Sequence, residues 1–384
     1  MKVIADANIP YVKECFSSLG EVQVMPGRQI TRGVLSDADA LVVRSITPVN
    51  EELLKGTPVQ FVGTATIGYD HIDLDFLEAE GIAFTSAPGS NANSAAEYVV
   101  AGVLEVAQKY DIDLEEKSIG VIGVGNVGGK VAAKAAALGM DVVLNDPPLA
   151  RRSGDDKYRP VEELFECDFI TLHVPLTTSG ADRTYHLADR AFFTSLKERC
   201  VLINASRGAV VETDALKNAI YSGRLRGVVL DVWENEPKID LGLLKIVDIG
   251  TPHIAGYSLD GKIAGMMMIY EAACEYFGVA PAHEASEFLP EPAIRDLRWG
   301  GARGTPLDIV AGAVQKIYDI RRDDTRLRWV WEKPQDKRAD YFDSLRKNYP
   351  VRREFHNTTV AVSPGDARLR AKLEGIGFDV RQIR

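Results

Sequence analysis

Short apolar runs separated by stretches of helical periodicity recur along most of the chain, the pattern of alternating strands and helices. In the first 93 residues the runs are KVIADA, EVQV, ALVVR at 40–44, VQFVG at 59–63 and IAFT at 82–85, with a helical segment over 9–19. Such alternation predicts a small domain built on a parallel sheet. A helix from Asn93 to about Gln108, carrying Val99, Val100, Val103, Leu104 and Val106, is apolar enough to be a buried crossover between domains. Beyond it, runs at 118–123, 141–146, 168–174, 201–205, 227–232 and 247–251 predict six strands with helical intervals, the number of a full doubly wound sheet. A helix over 259–277 returns the chain toward the first domain, with Met266 and Met267 as core filler. Residues 281–292, with Pro281, Pro290 and Pro292, read as a linker. The remainder predicts helices over 306–321, 341–347 and 366–373 and strands over 358–363 and 378–383. The fold class is therefore α/β: two doubly wound parallel-sheet domains, flavodoxin-like and Rossmann, plus a small α+β C-terminal domain. The boundaries fall at 1–93 plus 257–280, at 94–256 and at 285–384.

The most specific local signal is KSIGVIGVGNVGGKVAAKAAALGMDVVLND at 117–146. A strand enters a turn at Gly123, Gly125 and Gly128, a helix follows, and the next strand ends at Asp146, 18 residues after Gly128. Gly123 permits the sharp turn, Gly125 lets the backbone approach a pyrophosphate, and Gly128 lets helix and strand pack closely. The helix N-terminus then offers unpaired N–H groups to the phosphates. Asp146 can accept both ribose hydroxyls and repels a 2′-phosphate, so the expected cofactor is NAD rather than NADP. Gly129 adds a fourth glycine, which weakens the helix start without touching the phosphate contacts.

Composition narrows the partners. The 384 residues carry a net charge of −10 with no basic block in the first 290, which argues against nucleic acid or an anionic membrane as partner. No apolar stretch approaches the ~18 residues of a membrane span. Met1 leads directly into KVIADA, leaving no room for a secretory signal, and a cytoplasmic protein is expected. Cys15, Cys167, Cys200 and Cys274 lie far apart and away from histidine, so they are expected to be reduced packing residues, with neither disulfide nor metal.

Three segments at the ends of late strands carry chemistry: Asn204-Ala-Ser-Arg207-Gly, Asp231-Val-Trp-Glu-Asn-Glu236-Pro and Pro252-His253-Ile-Ala-Gly256-Tyr257. A histidine can take a proton from a hydroxyl as hydride leaves the same carbon, and a neighbouring carboxylate keeps it charged and oriented. An arginine can clamp a substrate carboxylate with two hydrogen bonds. Together they form a 2-hydroxy-acid oxidation site; separately, each could be a surface cation, a turn acid or a strand-end histidine. In the first domain Arg44, Ser45, Thr64 and Thr66 follow strand patterns, where ligands of open α/β sheets bind or where hydroxyls merely cap turns.

The glycine turn with Asp146, the ASRG, ENEP and PHIAG segments and their order resemble the D-isomer-specific 2-hydroxyacid dehydrogenases over residues 1 to about 280. The resemblance implies that Arg207 binds substrate carboxylate, His253 is the acid/base, Glu236 pairs with it and Asp231 lies near the nicotinamide carboxamide. The implied cofactor contacts are Gly123, Gly125, Asn126, Val127, Gly128, Asp146, Pro175, Ala205, Ser206, Asp231 and Gly256. The segments RSITPVNEELL and FVGTATIGYDHIDLDFLEAEGIAFTSAPGSNANSAAEYV resemble a branch that oxidises a small phosphorylated 2-hydroxy acid in vitamin B6 synthesis. That branch implies Ser45, Thr66 and Tyr257 as substrate contacts, and a C-terminal domain through which a homodimer forms. Aromatics at Trp299, Trp329, Trp331, Tyr341, Phe342 and Phe355 fit such an interface, with Arg346, Arg352 and Arg353 expected as its solvated rim in preference to the other role open to them, reaching the anionic substrate of the neighbouring subunit. Two alternatives stay open: a D-3-phosphoglycerate or glyoxylate/hydroxypyruvate reductase of the same family, and a non-enzymatic NAD-sensing corepressor on the same scaffold.

Overall fold

Five parallel strands form the first sheet: β1 (Lys2–Asp6), β2 (Glu21–Met25), β3 (Ala40–Val43), β4 (Phe61–Thr64) and β5 (Ala83–Thr85), in the order β2-β1-β3-β4-β5. The structure is a computed structural model that describes residues 1–299, 304–363 and 366–382, with Trp299 described by its backbone alone. Strands β3 and β4 are buried along their whole length, which is why their sequences are continuously apolar instead of alternating. This sheet belongs to a unit made of Met1–Asn91 and Ser258–Glu291. The helix Leu259–Phe277 supplies Ile263, Met266, Met267, Ile269 and Tyr270 to its core, and Gly63 of β4 makes room for it, since a Cβ there would lie 2.1 Å from the Ile269 side chain. The segment expected to be a linker packs onto this unit instead. Glu284 and Glu287 close a capping box around the short helix Ala285–Phe288, and buried Phe288 meets the Tyr11 ring at 5.3 Å. Ala285 and Leu289 pack against the same core, and Ala282 N–H donates to the Tyr270 hydroxyl at 2.8 Å, so these contacts outweigh the proline-rich composition.

The second unit, Ala92–Tyr257 with Pro292–Arg384, holds the six strands β6 (Ser118–Ile122), β7 (Asp141–Asn145), β8 (Phe169–Leu172), β9 (Cys200–Asn204), β10 (Leu225–Leu230) and β11 (Ile249–Gly250). All are parallel, in the order β11-β10-β9-β8-β6-β7. Leu144 of β7 also makes an isolated parallel bridge to Tyr158. The order therefore reverses between β6 and β8. Helices Ala92–Tyr110 and Asn126–Leu138 cover one face, with Val99, Val103, Val131 and Ala135 in the core.

The C-terminal segment adds a parallel sheet of β12 (Asp296–Trp299), β13 (Thr359–Val362) and β14 (Asp379–Gln382), in that order. Its first strand, DLRW, escapes sequence reading because two of its four residues are charged. The helix expected over 306–321 breaks in two, Pro306–Ile317 and Ile320–Arg328, because Tyr318 is extended and Asp319 caps the second helix through Arg321 N–H. Val310, Val314, Leu369, Leu373 and Ile376 share one core with the helices of the six-stranded sheet. Two buried lysines lock this contact: Lys134 of helix Asn126–Leu138 donates to Ile376 O at 2.5 Å, and Lys372 of helix Ala367–Ile376 donates to Leu138 O. Each helix thus caps the other's C-terminal carbonyls. All four cysteines are buried free thiols, and among the described residues no helix is long and apolar enough to cross a membrane.

Candidate active site

The glycine turn after β6 separates three physical demands. Gly123 has φ +86°, and a Cβ there would stand 2.8 Å from the backbone carbonyl of His173. A Cβ on Gly128 would lie 1.9 Å from Gly123 O, so the helix can pack this closely on the turn only with glycine. Gly125, the cap of helix Asn126–Leu138, meets nothing within 4 Å. That open approach, beside the free N–H groups of Asn126, Val127 and Gly128, fits a pyrophosphate. A Cβ on Gly129 would come no closer than 3.9 Å to Val124 O, so space does not require glycine there. Asp146 accepts from Val124 N at 2.8 Å and Leu149 N at 2.9 Å, tying the turn to the cap of helix Pro147–Ser153. Its carboxylate keeps lone pairs for ribose hydroxyls. Pro175 is exposed just past the end of β8.

The loops after β9, β10 and β11 assemble a second cluster on the same unit. Buried Asn204 accepts from Ser206 N at 3.1 Å and Ser206 Oγ at 2.8 Å and donates to Arg207 O at 3.1 Å, which folds the turn that carries Ala205 and Arg207. A Cβ on Gly208 would fall 1.9 Å from Trp233 O, so this turn lies flat on the loop after β10. In that loop Glu236 accepts from Trp233 N at 2.8 Å and from His253 Nδ1 at 2.7 Å. Nδ1 is thereby occupied, and Nε2 of the partly exposed ring is the nitrogen left for chemistry. His253 itself sits at φ +58°, a backbone region that costs a non-glycine residue of order 1–3 kcal/mol. Asp231 holds it there. The His253 N–H donates to Asp231 O at 2.7 Å, and the buried Asp231 carboxylate accepts from Ile254 N and Thr251 Oγ1 at 2.7 Å and from Ala255 N at 2.8 Å. Burial pushes the Glu236 carboxyl up, but His253, the Trp233 N–H and Arg346 outweigh it and hold Glu236 below the usual carboxylate range. An ionised Glu236 beside a histidine stabilises the imidazolium that forms when Nε2 takes a proton.

In the first unit Ser45 is exposed after β3, and Thr66 follows the neighbouring strand β4. The Thr66 hydroxyl bonds Gly68 O at 2.9 Å and Thr64 Oγ1 at 2.7 Å, and Thr64 reaches His71 Nε2 at 3.1 Å. Tyr257 and Gly256, on the second unit, are both partly buried at the end of the loop that carries His253.

Sequence reasoning missed how far the C-terminal segment supports this cluster, and its arginines do not form a solvated rim. Arg352 is buried; its Nη2 donates to Ala255 O at 2.9 Å and Ser94 O at 2.7 Å while its guanidinium lies 4.2 Å from the Tyr318 ring centre. It thus ties the His253 loop to the start of helix Ala92–Tyr110. Asp324 accepts from Gly250 N of β11 at 2.8 Å, and Arg328 donates to Leu244 O at 2.8 Å and Val247 O at 3.0 Å. Arg353 is half-buried on Asn357 at 2.6 Å, and half-buried Arg346 lies over the Tyr257 ring, 6.0 Å from its centre. The one signal available was the interleaving of Tyr349, Arg352, Glu354 and Phe355, charge mixed with aromatics where a solvated rim would be uniformly polar.

Residues 87–255 match the family described as D-isomer specific 2-hydroxyacid dehydrogenase, NAD binding domain, and residues 288–377 match a domain of unknown function. A protein of Photorhabdus laumondii named erythronate-4-phosphate dehydrogenase is 44% identical over 386 residues, covering 100% of both chains. One of the same name from Proteus mirabilis is 45% identical over 381 residues, 99% of each. Among solved structures, D-lactate dehydrogenase of Aquifex aeolicus, complexed with NAD and lactic acid, aligns with TM-score 0.60 at 27% identity over 72% of this chain and 95% of that one. The NAD-bound 3-phosphoglycerate dehydrogenase of Entamoeba histolytica, at 24% identity and TM-score 0.61 over 72% of this chain and 95% of that one, shares the fold.

Proposed function

The chain belongs to the erythronate-4-phosphate dehydrogenases, among the D-isomer specific 2-hydroxyacid dehydrogenases, and on that premise we propose that it oxidises 4-phospho-D-erythronate to 2-oxo-3-hydroxy-4-phosphobutanoate in the route to pyridoxal 5′-phosphate. NAD, when bound, supplies the hydride acceptor. Gly125, Asn126, Val127 and Gly128 hold its pyrophosphate, Asp146 its ribose, and Pro175, Ala205, Ser206, Asp231 and Gly256 line the remainder, Asp231 by fixing the loop at 253–255. Arg207 clamps the substrate carboxylate, His253 Nε2 takes the proton of the 2-hydroxyl, and Glu236 stabilises the imidazolium that results. Ser45, Thr66 and Tyr257 bind the substrate phosphate. The reading rests most on the 2.7 Å contact between Glu236 and His253, which leaves Nε2 as the working nitrogen.

The unit of residues 1–91 and 258–291 then serves as the substrate-binding domain, 92–257 as the NAD-binding domain and 292–384 as the dimerisation domain. Trp329 and Trp331, 56% and 37% exposed on the C-terminal segment, support a second copy covering that surface. The test is a set of initial rates with NAD against 4-phosphoerythronate, erythronate and 3-phosphoglycerate. The phosphorylated four-carbon acid should give the highest kcat/KM. Equal values for 4-phosphoerythronate and erythronate would remove the phosphate assignment, and a best rate with 3-phosphoglycerate would move the chain to a sister activity. Light scattering on the same preparation should return twice the chain mass; a monomer ends the dimer proposal.

A further inference from the structure

A phosphate monoester carries roughly −1.5 to −2 charges at neutral pH, yet Ser45, Thr66 and Tyr257 offer it hydroxyl and backbone donors and no cation. The cations nearest in sequence are engaged. Arg207 is assigned to the substrate carboxylate, and the charge of Arg44, next to Ser45, is balanced by buried Asp6 at 3.1 Å. Recognition of a dianion by neutral donors alone leaves its charge uncompensated once water is excluded.

Arg346 is a cation packed on Tyr257. It lies in the last turn of helix Arg338–Lys347, on the same unit as His253, with its guanidinium over the ring of Tyr257 at 6.0 Å and close enough to Glu236 to help keep that carboxylate ionised. Its contact with Asp343 on the same helix is stretched to 4.0 Å, and its Nε is buried without an acceptor. A buried donor left unmet is costly to fold around, and it is retained where a ligand completes it. Arginine also has the planar fork that matches a phosphate with two parallel bonds, which lysine lacks.

We propose that Arg346 recognises the phosphate of the substrate together with Tyr257, which makes it a specificity-determining residue supplied by the C-terminal segment of the same chain. The inference rests on the 4-phosphoerythronate reading. It gives the C-terminal segment a task in substrate choice that dimer formation alone would not require.

The test is the ratio of kcat/KM for 4-phosphoerythronate to that for erythronate, measured for the full-length protein and for Arg346→Gln and Arg346→Lys. Arg346→Gln should lower the ratio roughly 10- to 100-fold, the loss of a charge-assisted hydrogen bond, and should do so through KM for the phosphorylated acid. Arg346→Lys, which keeps the charge and loses the fork, should fall between. A ratio that survives Arg346→Gln overturns the inference, including the case where both substrates slow equally because Arg346 only steadies Glu236. Should Arg346→Gln fail to fold, inorganic phosphate serves as probe: its competitive inhibition should weaken in Arg346→Lys, and an unchanged inhibition constant overturns the inference. An unmutated protein without preference between the two acids fails the parent reading, and this one with it, before any variant is made.

Discussion

The five-stranded sheet of the first unit and the six-stranded sheet of the second are both parallel, and in both the strand order reverses beside the first strand, between β1 and β3 in one and between β6 and β8 in the other. Such reversals open a crevice at the carboxyl ends, so topology alone offers a ligand site twice. Side chains decide what each crevice does. In the first sheet β1 ends at Asp6, wholly buried, which pairs with Arg44 from the end of β3 and accepts from Asn8. Gly27 presses on the same spot, for a Cβ there would come within 2.8 Å of the Asp6 carboxylate. The switch point is filled by protein. In the second sheet the corresponding turn is glycine, and above Gly125 a Cβ would meet nothing within 4 Å. The comparison teaches that a dinucleotide crevice needs a strand reversal together with the absence of side-chain volume at one residue. The first unit's remaining polar groups, Ser45 and Thr66, suit a smaller anion.

Five substitutions would break or sharpen this division of labour. The largest effect is expected for His253→Asn, which removes the working nitrogen and should lower turnover by roughly 10² to 10⁴ while leaving NAD binding nearly intact. Near-normal turnover in initial-rate assays would remove His253 from the chemistry. Next come the glycines, which should fail in different ways. Gly125→Val fills the open approach and should weaken NAD by about 10- to 100-fold, the loss of one or two phosphate hydrogen bonds, with the melting temperature held. Gly128→Ala drives a methyl into the Gly123 carbonyl at 1.9 Å and should cost about 1–3 kcal/mol of stability. If fluorescence titration and thermal melts report the same defect in both variants, the distinction between open and packed glycine is wrong. The smallest effect belongs to the first sheet. Ser45→Ala and Thr66→Ala should each reduce kcat/KM for the phosphorylated substrate by about 3- to 10-fold, the net worth of one hydroxyl contact apiece, without changing the affinity for NAD. A loss of NAD affinity as large as that of Gly125→Val would show that the two edges do not divide the ligands.

What could be read from the chain follows the same logic of range. The glycine turn was legible because its requirements are local: a positive φ at Gly123 and a helix start at Gly125 are properties of a few consecutive residues. The strand runs were legible because β3, β4, β8 and β9 are buried on both faces and so are almost wholly apolar, with Thr64, Thr171 and Asn204 as the buried polar exceptions. Arg207, Glu236 and His253 could be nominated because each follows a strand pattern, and a parallel sheet brings its carboxyl ends to one edge whatever lies between them.

The sequence by itself thus determined the class of fold, the dinucleotide turn and the residue types of the catalytic edge, all of which arise from neighbours in the chain or from the periodicity of burial. Only the tertiary structure decided that Asp231 is spent on holding residues 253–255, that Asp146 also caps a helix, that Phe288 anchors an apparent linker, and that Arg352 ties the His253 loop from 97 residues away. The reason is that a buried polar group takes whichever partner the packed chain delivers within about 3 Å. Arg352 and a surface arginine are written with the same letter, and they differ only in whether Ala255 O and Ser94 O are waiting in a place that water cannot reach.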